Sequence, residues 1–127
     1  MLKYKQYLKE QETKSHIDDF MDYCRDYLNV SEMPELVLIP DKAIAAENKS
    51  FGGYSPSEKK IYLNTGGRHT ADVLRTLAHE MVHHKQNLDG VLTNYAGETG
   101  SEFENEANSV AGVIMRNYGK KNPRIYE

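Results

Sequence analysis

Tryptophan is absent from the 127 residues, cysteine occurs once and proline four times. With Cys24 alone, neither an intramolecular disulfide nor a paired-cysteine zinc ribbon can form. No apolar run approaches the roughly 20 residues that span a bilayer, and the first residues lack the apolar stretch of a secretory signal. The expected compartment is therefore the cytoplasm, with no membrane partner. Neither sign of charge dominates: 16 Lys and Arg stand against 19 Asp and Glu, a formal net charge of −3. A nucleic-acid partner is not expected from so even a balance. Lys3, Lys5, Lys9 and Lys14 are interleaved with Glu10, Glu12 and Asp18, which reads as a solvated helix face. Repeats and low-complexity tracts are missing too. What is present, 39% hydrophobic and 28% charged residues, fits one folded domain over 1–127 with a modest core.

The pattern of apolar residues divides the chain into an expected α+β order. Residues 2–29 read as a helix, with a break expected near Thr13–Ser15. Ile17, Phe20, Met21, Cys24 and Leu28 give it one apolar stripe. Glu35–Pro40 reads as a short buried strand. Residues 41–50 read as weak helix or loop. Phe51–Tyr54 and Lys60–Leu63 flank the turn-rich Ser55–Glu58 and read as a hairpin. Thr70 is the expected N-cap of a helix over Ala71–Leu88, with Gly90 just past its end. A polar loop to Gly100 precedes a last helix over Ser101–Tyr118, which Gly119 and Pro123 are expected to stop.

Within the central helix lies His79-Glu80-Met81-Val82-His83. Residues four apart share a helix face, so both imidazoles can reach one metal ion. Glu80, the next residue after His79, can lean beside the ion and accept a proton from water without ligating. Zn²⁺ is the expected ion, because imidazole suits it and it tolerates an open fourth position. His84 points about 100° away around the helix and reads as a surface or supporting group. His16 and His69 have no ligand spacing, and Cys24 reads as a core residue.

A catalytic zinc ion usually takes three protein ligands, and the remaining histidines are poorly placed. The last helix supplies carboxylates instead. Ala107 and Ala111 follow Glu104 on nearly the same face and would let the two helices approach closely. Ser101-x-x-Glu104 is also a capping box, but Thr99-x-x-Glu102 offers an equivalent box that would free Glu104. Glu102 and Glu106 are alternatives that look more exposed. Asp89 stands where a metzincin carries its third ligand, but that pattern needs a glycine where this chain has Gln86.

These residues resemble the gluzincins. They are most similar to the compact ImmA/IrrE-type metallopeptidases, in which HExxH is followed by E-x-x-A-N-x-x-A, here Glu104 to Ala111. The wording of residues 76–86 and 97–101 also resembles small metallopeptidases of tailed phages. The resemblance covers about residues 50–118, the expected zinc-site core, and is absent from the helical segment over 1–30. It implies that Glu104 is the third zinc ligand. It further implies a zincin-like minimal fold, a small sheet packed on the HExxH helix and the glutamate-bearing C-terminal helix. An edge strand, expected at Phe51–Tyr54, would take a substrate peptide by main-chain pairing. No DNA-binding or sensory extension is expected, so a repressor-cleaving role is not carried over with the resemblance.

The expected activity is thus zinc-dependent hydrolysis of a protein or peptide substrate, with Glu80 as general base. Tyr95, Tyr54 and His84 are the candidate donors to an oxyanion. Two other readings stay open: a non-catalytic zinc-binding module, and a metal-dependent hydrolase of a non-peptide substrate such as RNA.

Overall fold

The computed structural model describes residues 2–40, 52–92 and 101–127. It is α+β: helix α1 (Leu2–Leu28), strands β1 (Glu35–Ile39), β2 (Gly52–Ser55) and β3 (Lys60–Asn64), and helices α2 (Thr70–Leu88) and α3 (Glu102–Lys121). A short 3₁₀ turn (Pro123–Tyr126) follows. The expectations for residues 41–50, Phe51, Tyr95 and Thr99 lie outside the described residues.

Helix α1 runs unbroken through Thr13–Ser15, contrary to the expected break. Thr13 is buried, and its hydroxyl shares a 2.8 Å hydrogen bond with that of Thr70. A residue that weakens a helix in isolation here ties α1 to the start of α2. The helix ends at Asn29, which takes the left-handed conformation (φ 56°), while the Val30 N–H returns to the Arg25 carbonyl. That 6→1 bond satisfies an orphan carbonyl, and Val30 is buried beneath it.

The sheet has the order β1–β3–β2, with β1 parallel and β2 antiparallel to the central β3. Ile61 and Leu63 on β3 are fully buried, whereas Lys60 and Tyr62 are only half-buried, as alternation across a pleat demands. They meet Leu74, Leu77 and Met81 of α2, Phe20 and Cys24 of α1, and Ile114 and Tyr118 of α3 in one core. Burying each such side chain contributes roughly 1.5–3 kcal/mol. Tyr118 adds a polar anchor, donating a 2.7 Å hydrogen bond to Asp19.

Two helix ends differ from expectation. His69, not Thr70, is the N-cap of α2: its Nδ1 accepts the Ala71 N–H at 3.1 Å, leaving Thr70 free to bond Thr13. Helix α3 continues past Tyr118 through Gly119 to Lys121. A Cβ at Gly119 would come within 2.5–2.9 Å of the Tyr126 ring, so this glycine admits the C-terminal turn rather than ending the helix. Among the described residues, no helix is long and apolar enough to cross a membrane.

Candidate metal centre

The centre forms where α2 and α3 pack together. The buried side of α2 carries Val73, Leu74, Leu77, Ala78 and Met81, which fixes the rotation of the helix and turns His79 and His83 toward α3. Ala107 and Ala111, both buried, keep α3 close. Ser101 caps α3 by accepting the Glu104 N–H at 3.1 Å. The Glu104 carboxylate turns to the two imidazoles instead. Its Oε1 lies 2.9 Å from His79 Nε2 and its Oε2 lies 3.1 Å from His83 Nε2. The imidazole rings stand edge to face, 4.8 Å between centroids.

His79, His83 and Glu104 could hold a metal ion, with one donor atom from each lying within 4.8 Å of the others. Proton positions bear on the fit. Gln86 Nε2 donates to the Phe103 carbonyl (3.1 Å) and to Glu106 Oε1 (2.8 Å), so Gln86 Oε1 is the atom that accepts from His83 Nδ1–H at 2.8 Å. A neutral His83 therefore points the lone pair of Nε2 at a carboxylate oxygen. Two acceptors at that distance repel unless a cation lies between them, and a metal ion meets that need as a proton does. His79 also hydrogen-bonds the Asn108 side chain, and burial pulls its pKa below the usual value despite Glu104.

Glu80 approaches without joining this set. Its Oε1 is 3.8 Å from His79 Nε2, and the residue is 8% exposed. Burial pushes its carboxyl up to about 7; His83 opposes the rise and Glu104 adds to it. Over Glu80 lies Gly52 of β2. A Cβ there would meet Thr76 Cγ2 at 2.7 Å, the Tyr62 carbonyl at 3.0 Å and Glu80 Cγ at 3.9 Å. The missing side chain lets the edge strand settle directly onto α2 beside the centre.

The other candidates are employed elsewhere. Glu106 is exposed and bonds Gln86, Glu102 is exposed at the start of α3, and Asp89 pairs with Lys85 at 3.2 Å. His84, expected at the surface or in support, is fully buried. Its Nε2–H donates to the Glu32 carbonyl at 2.6 Å, so its Nδ1 accepts the Tyr54 hydroxyl at 2.6 Å. Asn87 Nδ2 donates to that hydroxyl at 3.0 Å. His84 has no donor left for an oxyanion, and the Tyr54 proton is already given. Gln86 and Asn108 escaped the sequence reading as site residues. The signal for Gln86 was its place three residues after His83, on the same helix face.

A cleft of about 720 Å³ opens beside His79, lined by Gly52, Thr76, Arg75, Asp72 and Asn108. In comparisons with known proteins, the chain matches no family model, no curated protein and no solved structure. The resemblance to ImmA/IrrE-type metallopeptidases rests on the motifs themselves.

Proposed function

We propose that the protein is a zinc-dependent peptidase of the gluzincin kind. The observation that carries this reading is a His79–His83–Glu104 donor set with the buried, non-ligating Glu80 carboxylate beside it. Two imidazoles and one carboxylate, leaving a position open, are a known donor set of catalytic zinc. Zinc, when bound, supplies Lewis acidity at neutral pH. Glu80 accepts a proton from the attacking water and returns it to the leaving nitrogen. Gln86 holds the His83 tautomer, and Asn108 steadies His79. Such outer partners orient ligand rings and raise their basicity. The edge position of β2, with Gly52 against Glu80, supports a peptide laid along that strand.

Elemental analysis of untagged protein, paired with a peptide-cleavage assay, tests this. Wild type and Glu80→Gln are expected to bind about one zinc per chain, with cleavage lost only in the variant. Absence of bound metal, even with added zinc, refutes the reading. Zinc without cleavage in either protein would make the chain a binding module.

A further inference from the structure

A second hollow, of about 860 Å³, lies between the first half of α1 and the loop from β3 to α2, and shares Gly67, Arg68 and His69 with the cleft beside His79. The two therefore adjoin at the start of α2, one beside the candidate metal centre and the other against α1. The charge along this path departs from that of the whole chain. Lys5, Lys9 and Lys14 line the far part, Arg68 the join and Arg75 the near part, against Glu10 and Asp72. Asp72 acts electrostatically on Arg68. Among the described residues, Lys5, Lys14 and Arg75 are exposed and form no salt bridge, and Lys9 bonds the Glu127 main-chain oxygen at 3.5 Å. A chain with a net charge of −3 thus lines two adjoining hollows, together a groove past the start of α2, with more cations than anions. Lysines that read from sequence as a merely solvated helix face stand on its wall.

We propose that this groove selects a peptide with acidic residues on one side of the bond to be cleaved, an inference that rests on the peptidase reading above. Arg75 precedes His79 by one helical turn, about 6 Å along the axis, which an extended peptide covers in about two residues. The start of α2 is about 13 Å from His79 along the same axis, or about four extended residues. Arg75 therefore meets a carboxylate about two residues from the scissile bond, and the lysines meet acids about four or more residues away. The N-terminal end of α2 dipole adds positive potential at the join. The charges are exposed and act over a short screened range, so the selection falls with added salt.

The test is fluorescence anisotropy on full-length Glu80→Gln protein. The probes are a labelled peptide of alternating Glu and Ala, its Gln and Ala counterpart, and an oligouridylate of matched length. The acidic peptide is expected to bind about tenfold tighter than the glutamine peptide at low salt, with the preference shrinking as salt rises. Lys5→Glu, Lys14→Glu and Arg75→Glu together should erase it. Arg75→Gln alone should reduce it, and it guards against misfolding of the triple variant, which circular dichroism also checks. Equal binding of the two peptides, a preference that survives the triple reversal, or tighter binding of the oligouridylate would each overturn the proposal. Zinc content and cleavage of an uncharged peptide are read on matched wild-type protein. Zinc and cleavage without acidic preference would sink this inference alone; acidic preference without zinc or cleavage would remove the peptidase reading and, with it, the placement of acids about a scissile bond.

Discussion

His83 and His84 are neighbours in sequence and face different surroundings. The His83 ring is locked on one side by Gln86 and directs its other nitrogen at the Glu104 carboxylate, which also meets His79 at the border of a cleft. The His84 ring is fully buried, gives one nitrogen to a backbone carbonyl and takes a phenol proton on the other. Both rings have two polar neighbours, so counting contacts does not separate them. The matching of donors and acceptors does. Around His84 every proton has an acceptor, and the network closes on itself. Around His83 and His79 a carboxylate faces imidazole nitrogens, a set that a metal ion could complete. One side of α2 holds the fold together, and the other leaves chemistry unfinished.

Removing each ring in turn is the strongest way to break this comparison. His83→Ala is expected to lower zinc affinity by more than the roughly 10–100-fold typical of outer partners, with thermal stability of the metal-free protein little changed. His84→Ala is expected to do the opposite. It leaves the Glu32 carbonyl and Tyr54 hydroxyl without their partner inside a cavity, costing about 2–4 kcal/mol while stoichiometric zinc is kept. Zinc titration beside urea denaturation reads both effects. Loss of zinc in His84→Ala with a normal denaturation midpoint would move the ligand set.

Gln86 sharpens the contrast at intermediate cost. It bonds His83, the Phe103 carbonyl and Glu106 together, so it fixes both the tautomer of one ligand and the approach of the helix that carries another. Gln86→Ala should weaken zinc binding about 10–100-fold, while Glu106→Ala, which removes only the exposed end of the chain of bonds, should weaken it much less. Competition against a chelator of known affinity measures both. Equal losses would mean that Glu106, rather than the His83 tautomer, is what Gln86 serves.

The parts of this arrangement that sequence discloses are those set by local periodicity. The α2 face, the i and i+4 histidines and the β2–β3 hairpin follow from residue spacing, and Glu104 from a motif resemblance. The rest depends on partners distant in the chain. The parallel pairing of β1 with β3 joins strands separated by residues 40–59. Thr13 suggests a break until Thr70 is beside it, and Thr70 looks like a cap until Thr13 claims its hydroxyl. Gly119 signals a helix end unless Tyr126 needs the space. The role of His84 is hidden for the same reason, since its partners come from residues 32 and 54.

Tyr54 gives the smallest effect and the finest test of the contrast. Its hydroxyl lies between His84 and Asn87, on the strand whose Gly52 packs on α2 near Glu80. It could in principle serve either side of α2. Tyr54→Phe removes one hydroxyl and leaves the ring packed edge to face on His84. If the hydroxyl belongs to the closed network, stability should fall by about 1 kcal/mol, with zinc content and kcat unchanged. A donor to an oxyanion would instead lose roughly 10²–10³ in kcat with little change in stability. The expected result is the first, because the phenol proton already has a buried acceptor in His84, and a donor already engaged in the resting protein would have to break that bond during the reaction. A fall in kcat at unchanged stability would show that the closed network opens when substrate binds, and the two sides of α2 would then form one site.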